Sequence, residues 1–267
     1  MTQKDNINSW TFGIITNGKK KEQLSKIIES IRAQKIPHYE IIICGTYFGP
    51  FAKDIVYIPF SEKDDKGWIT KKKNIICENA KYENIVVVHD RIFFNLGWYK
   101  GMQKYGNDFD VLSCKITYAG ERAYDWLTQI YPYDDIRSTW YLGGMLNYDD
   151  NDPEVYIDGG LIILKKNAWR KAKWDERLFW NEREDCKLSM DQHRAGLRIE
   201  FNKYSSCKTL SFNHPLSKLV LVRNKKGRLK LKGPIHIIIG KRLMNLWFYM
   251  RYIIQRIFKG KPIDFKY

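Results

Sequence analysis

This sequence predicts an α/β fold with a mixed, mostly parallel sheet flanked by helices. Three observations carry that expectation. The run Ile85-Val86-Val87-Val88 is apolar and β-branched throughout, without helical periodicity, as in a strand buried on both faces of a parallel sheet. Ahead of it, short apolar runs alternate with amphipathic stretches, the pattern of βαβ units. The run then ends abruptly in His89-Asp90-Arg91, polar groups at the carboxyl end of a strand, where open α/β sheets place their ligand crevice.

The elements follow in order. Trp10 to Thr16 (WTFGIIT) reads as a strand ending in Asn17-Gly18. Glu22 to Gln34 carries Leu24, Ile27, Ile28 and Ile31, one face of a helix. Tyr39 to Cys44 and Asp54 to Ile58 read as the second and third strands, Thr70 to Ala80 as a helix, and Asn84 to Val88 as the next strand. Tyr118 to Asp152, rich in aromatics and acids, shows no regular pattern and reads as a long loop. Gly159 to Leu164 is a later strand.

A chain of 267 residues can bury a sizeable core, and one large domain with an appendage fits this length. Its 44% hydrophobic and 15% aromatic content excludes a disordered chain. The five cysteines form no CxxC pair and no zinc-spaced cluster, so they read as buried thiols of a reducing compartment. The opening residues lack an apolar core, so no signal peptide is expected, and no run of about 18 apolar residues suggests a membrane span. The expectation is a cytoplasmic protein.

The net charge of +16 is concentrated at one end. Residues 216–267 hold 14 Lys and Arg against a single acid, Asp264, a net +13 that leaves +3 for residues 1–215. The predicted organisation is therefore a near-neutral domain over 1–215 and a basic extension over 216–267, an electrostatic docking device. Leu219 to Leu231 reads as a hairpin around Asn224-Lys225-Lys226-Gly227. Lys241 to Phe258 places Leu243, Leu246, Trp247, Met250, Ile253, Ile254 and Ile257 on one helix face, with Lys and Arg along its flanks. Such a helix over 241–259 either lies on an anionic membrane surface or packs on its own core. No recognised motif supports nucleic acid as the partner.

Several segments together resemble the GT-A-fold glycosyltransferases of the bacterial family-two type, over roughly residues 10–215. Phe12-Gly13-Ile14-Ile15-Thr16-Asn17-Gly18 is similar to that family's first strand and nucleotide-facing loop, which implies donor contacts at Thr16 and Asn17. Lys71-Lys72-Lys73-Asn74 is similar to its basic-plus-Asn segment near the donor, implicating Lys73 and Asn74. His89-Asp90-Arg91 stands in the place of its DxD-type motif. Tyr156-Ile157-Asp158-Gly159-Gly160 resembles its Gly-rich segment beneath donor and acceptor, and the stretch from Asp175 to Asp185 ends in a Glu-Asp pair, Glu184-Asp185.

The resemblance implies transfer of a sugar, with inversion, from a nucleotide-sugar donor to a hydroxyl of a glycan or lipid-linked acceptor in bacterial surface polysaccharide or lipooligosaccharide synthesis, peripheral at the inner face of the plasma membrane. The departing diphosphate needs its charge stabilised. Mn²⁺ or Mg²⁺ on Asp90 would suit, with His89 able to bind Mn²⁺ and Arg91 to fork onto phosphate. His214 is a second candidate metal ligand or an ordinary turn residue. By resemblance Asp185 is the base, and a desolvated crevice beside Glu184 would raise its pKa; Glu184 and Asp191 are the alternative bases. No acid follows the second strand to face a nucleoside, leaving Tyr47, Asp64 or Asp65 for that task. The competing class is a non-catalytic membrane- or nucleic-acid-binding module on the same fold. The long loop, finally, reads either as an acceptor-facing surface with aromatic faces for sugar rings or as packed aromatics.

Overall fold

The strands sort their side chains by parity. Ile41 and Ile43 enter one core cluster with Val86 and Val88, while Ile42 and Cys44 enter another with Ile85 and Val87. Alternate residues of a strand point to opposite faces, so a run that is apolar at every position requires cover on both sides. The computed structural model provides that cover, and it describes residues 7–61, 67–129, 143–153, 155–180, 182–211, 220–223, 229–240 and 243.

In chain order the elements are β1 (Ser9–Thr16), α1 (Lys21–Arg32), β2 (His38–Gly45), β3 (Ile55–Pro59), α2 (Ile69–Asn79), β4 (Asn84–His89) and β5 (Ile92–Phe94). Then come α3 (Trp98–Tyr105), β6 (Val111–Tyr118), β7 (Glu121–Arg122), β8 (Leu127–Gln129), β9 (Gly143–Leu146), β10 (Val155–Tyr156) and β11 (Leu161–Lys165). They continue through α4 (Lys166–Lys171), α5 (Glu184–Arg194), β12 (Ile199–Thr209), β13 (Val220–Arg223) and β14 (Leu229–Lys232).

The large sheet runs β3-β2-β1-β4-β11-β6-β12-β5, with β7 beside β6. The β3-β2-β1-β4 half is parallel, as the alternation predicts. β11 is antiparallel to both β4 and β6, and β5 to β12. The architecture is thus mixed and mostly parallel in its first half. On one face, Leu24, Ile27 and Ile31 of α1 meet Trp10, Phe12 and Ile14; on the other, Ile76 of α2 and Trp169 of α4 meet Ile15, Ile42 and Val87. Each fully buried side chain of this size contributes about 1.5–3 kcal/mol.

Tyr118 to Asp152 differs from expectation. It contains β7, β8 and β9 and is not irregular throughout; β8 and β9 pair with each other and join a second, five-stranded sheet in the order β10-β8-β9-β13-β14. Asp125 fastens it: its buried carboxylate accepts from Arg122 Nε at 2.8 Å, Tyr148 Oη at 2.9 Å and the Ile116 amide at 3.1 Å. Tyr148 stacks on Phe201 with ring centroids 4.7 Å apart. These aromatics pack under the chain; residues 130–142 lie outside the described residues.

The predicted hairpin is present as β13 and β14, paired antiparallel, and Val220 also pairs with Met145 of β9. The first stretch of the basic extension is therefore stitched to the second sheet. Residues 235–240 and 243 are helical, so helical backbone starts ahead of Lys241; most of the predicted helix over 241–259 lies outside the described residues.

Candidate active site

Register brings the polar groups together. Thr16 pairs with Gly45, and Ile15 with His89, so β1, β2 and β4 end on one edge of the sheet. Because β11 is antiparallel to β4, its start meets the end of β4: Leu161 pairs with Val88, and the His89 amide donates to Gly160 O at 3.0 Å. Asp158-Gly159-Gly160 is thereby delivered beside His89-Asp90-Arg91, about 70 residues away in the chain.

A cavity of about 640 Å³ opens at this edge, a size that suits a drug-sized or nucleotide ligand. Thr16, Asn17, His89, Asp90 and Arg91, all candidates from the sequence, line it. So do Lys19, Lys20 and Lys72, which with Arg91 give four cations around one carboxylate. Asp90 is held by the Thr16 hydroxyl, which donates to Oδ2 at 2.8 Å, and faces Lys20 Nζ at 3.8 Å. Lys72 is buried and donates to Thr16 O at 3.2 Å.

Two buried nitrogens point to a ligand. Among the described residues, neither His89 Nε2 nor Arg91 Nε has a hydrogen-bond partner. Burial, and then the surrounding charges of Lys73, Arg91, Lys72 and Lys20, push the His89 pKa well below its ordinary value, so its imidazole is neutral. Arg91 spends one Nη1 contact on Ser211 O at 3.4 Å and leaves Nε free. Leaving such groups unsatisfied costs about 1–3 kcal/mol each, which an anion at Arg91 would relieve.

The same observations test the implied cation. Among the described residues no three His, Cys, Asp or Glu side chains cluster as a closed metal site would require. A neutral, unpartnered imidazole next to an aspartate in the same cavity does fit a cation held by few protein atoms, the rest of its sphere supplied by ligand phosphate and water. His214 lies outside the described residues; Ser211, three positions earlier, lines the cavity.

Three further candidates, Lys73, Asn74 and Glu184, make bonds within the fold. Lys73 does not line the cavity; its Nζ is buried, 2.9 Å from Gly159 O and 3.1 Å from Glu184 Oε1. Asn74 is consumed by Trp174 O and Glu176 Oε1 through Nδ2, and by Trp169 Nε1 and the Trp174 amide through Oδ1. Glu184 is locked to Lys73 as a buried pair. Three consecutive residues on a helix point about 100° apart, so only one lysine of the triplet can face a given cleft. That lysine is Lys72.

Asp185 occupies the first turn of α5 after Arg183, whose φ is +60°. Its carboxylate accepts from the Gly159 amide at 3.1 Å and the Cys186 amide at 2.8 Å. Burial, then the negative charges of Glu184 and Asp158, push its pKa up to about 7. Asp158, also raised by burial, accepts from the Gly160 amide at 3.1 Å. A Cβ on Gly160 would lie 2.8 Å from Asp158 Oδ2 and 3.1 Å from Arg91 Nη2. Asp185, the two glycines, Asp158 and Arg91 thus form one continuous patch.

Asp191 sits elsewhere on α5, paired with Lys187 and 3.7 Å from Arg194. Six helical residues rotate the side chain by about 240°, so it does not share the direction of Asp185. Tyr47 donates to Pro50 O and packs on Phe51 and Tyr57; Thr46, Phe60 and Ser61 line the cavity in that region instead. Asp64 and Asp65 lie outside the described residues. Trp180, 64% exposed on the cavity rim, was not singled out by the sequence; its only signal was an aromatic in the polar run before Glu184.

Comparison with protein-family models and with curated proteins finds no match to this sequence. Solved structures do match in fold. GalNAc-T7, solved with UDP, GalNAc and Mn²⁺, superposes with a TM-score of 0.55 at 13% identity over 76% of this chain and 44% of that one. S. aureus TarS superposes with a TM-score of 0.50 at 13% identity over 76% of this chain and 37% of that one. The chain spans less than half the length of either. The fold is the GT-A fold of glycosyltransferases.

Proposed function

We propose that the chain is a glycosyltransferase that moves a sugar from a nucleoside-diphosphate sugar to a hydroxyl acceptor. The observation that carries this reading is the four-cation cavity at the carboxyl ends of β1, β2 and β4. Asp185, whose pKa is raised to about 7, does not line it but is joined to its Arg91 through Gly159, Gly160 and Asp158. The presence of UDP and Mn²⁺ in GalNAc-T7 supports the donor class.

Lys20, Lys72 and Arg91, which line the cavity, receive the diphosphate. Asp185 takes the proton of the acceptor hydroxyl as its oxygen bonds to the anomeric carbon. The carbon–oxygen bond to the diphosphate breaks with its electron pair on the leaving group, opposite the attack, so the product is inverted. Asp90 and His89 would hold Mn²⁺ or Mg²⁺, which supplies further charge neutralisation when bound. Trp180 offers a ring face for a sugar at the rim.

The acceptor is a glycan or lipid-linked sugar of surface polysaccharide or lipooligosaccharide synthesis, met at the inner face of the membrane. The +13 charge of residues 216–267 supports that location. So do Ile235, Ile239 and Leu243, four residues apart and 74%, 51% and 60% exposed, which start the apolar stripe that the sequence continues to Ile257. Among the described residues no helix is long and apolar enough to cross a membrane.

A second reading, a binding module without catalysis, draws on Asp90 being the one carboxylate among the described residues lining a cavity with four cations, a charge balance that favours an anion there. Asp185→Asn separates the two. Loss of sugar transfer with nucleotide binding retained supports the enzyme; a wild-type protein that binds nucleotide and transfers no sugar from any donor supports the module.

A further inference from the structure

The β2–β3 connection, which meets the cavity only at Thr46 among its described residues, carries an exposed aromatic tip. Phe48 is 65% exposed and Phe51 75%, with Val56 of the adjoining edge strand also exposed. Large apolar side chains projecting together into solvent mark a contact surface. The tip is built rather than loose. Tyr47, Phe51 and Tyr57 form a three-ring cluster with centroids 5.8–6.3 Å apart. The Tyr47 hydroxyl donates to Pro50 O at 2.9 Å, and its ring end packs over Gly49, where a Cβ would lie 2.4 Å from the hydroxyl oxygen and displace the ring.

The surroundings are basic. Lys21 Nζ stands 4.2 Å over the Phe48 ring, Lys19 and Lys20 line the cavity together with Thr46, and Lys53 follows Phe51 by two residues in the chain. Among the described residues Glu22 follows Lys21 in the chain, Asp90 faces Lys20 at 3.8 Å inside the cavity, and Asp54 follows Lys53. Asp54 is consumed by a two-bond pairing with Arg32 at 2.9 Å each. Exposed phenylalanines without hydrogen-bonding groups, with Lys21 over one ring and further lysines in the adjoining segments, match an anionic bilayer: the rings enter the acyl boundary and the ammonium groups meet the headgroups. A sugar platform, by contrast, favours rings with a polar edge.

The position relates to the site. Thr46, two residues from Phe48, lines the cavity, as do Lys19 and Lys20. We propose that the tip formed by Phe48 and Phe51 with Lys19, Lys21 and Lys53 is a lipid-contact point that rests the mouth of the cavity on an anionic membrane surface. The inference rests on the membrane-located acceptor of the proposed function. It adds a contact independent of the basic extension, at the opposite end of the sequence.

The test is sedimentation of the full-length protein with vesicles of phosphatidylcholine alone and with about one third phosphatidylglycerol. Wild type is compared with Phe48→Ser/Phe51→Ser, and a thermal shift with UDP and GDP is measured on both. These side chains are exposed, so the fold and the nucleotide shift are expected to persist. The expected result is selective binding to anionic vesicles that falls by about tenfold or more in the double variant. Equal binding of variant and wild type would show that the extension alone docks the protein and would overturn the proposal. So would binding to neutral vesicles as strong as to anionic ones, or no vesicle binding at all. Unchanged vesicle binding with loss of transfer to a soluble acceptor would overturn it in favour of a sugar platform. Vesicle binding that depends on the tip in a protein shifted by no nucleotide would uphold the tip and sink the transferase reading.

Discussion

Lys73 Nζ lies 3.1 Å from Glu184 Oε1, across 111 residues of chain, with both side chains buried. The pair ties α2 to the first turn of α5 and seats Gly159 O on the same ammonium. Lys73→Met leaves the Glu184 carboxylate buried and alone, which is expected to cost about 3–5 kcal/mol. Denaturant unfolding measures this, and Lys73→Met/Glu184→Leu should recover most of the loss. A single variant within about 1 kcal/mol of wild type would show that the pair holds nothing.

Asp185 next to that pair predicts a pH profile. A base must be ionised, so transfer is expected to rise through an apparent pKa near 7 and to lose that acid limb in Asp185→Asn together with activity. Replacing Glu184 by Gln removes a negative neighbour and should move the limb to lower pH. A flat profile between pH 5 and 8 would remove Asp185 from the role of base.

The same group makes a stability prediction of definite sign. Its folded pKa of about 7 exceeds the ordinary 3.8, so the folded state favours the protonated carboxyl. That contribution is complete below about pH 4 and is lost as pH rises through 7. Asp185→Asn should therefore be more stable than wild type at pH 8, by roughly 1–3 kcal/mol, and close to it at pH 4. Equal stabilities at both pH values would contradict the raised pKa.

Gly160→Ala tests how Arg91 is placed. The new Cβ lies 2.8 Å from Asp158 Oδ2 and 3.1 Å from Arg91 Nη2, so the guanidinium must shift. Affinity for a nucleoside diphosphate should fall about tenfold, or about 1.4 kcal/mol, with less change for the free nucleoside, which lacks the phosphates. Calorimetric titration of both ligands reads this difference, and an equal loss for both would place Arg91 away from phosphate.

Much of the fold was legible because its signals are local. The β-branched run of β4 and the Leu24-Ile27-Ile31 stripe of α1 declare their elements within a dozen residues. The strand-end position of His89-Asp90-Arg91 was legible for the same reason. What was not legible depends on distant partners. Nothing near Lys71-Lys72-Lys73 says which lysine meets Glu184 and which the cavity. Asn74 looked like a ligand contact because Trp169, Trp174 and Glu176, which exhaust it, are about 100 residues away. β8 and β9 have three and four residues, too few to show alternation, and β5 has three.

A diphosphate site in the cavity between Thr16 and Arg91 makes nucleotides stabilise the full-length protein, which thermal shift measures. UDP, GDP, CMP and dTDP are each added with Mn²⁺, with Mg²⁺ or with EDTA. At about 100 times its dissociation constant a ligand adds about 2.7 kcal/mol. The account predicts that one nucleoside diphosphate stabilises the protein, more with Mn²⁺ than with EDTA, and that His89→Ala narrows that difference. No stabilisation by any nucleotide under any of these conditions would contradict it.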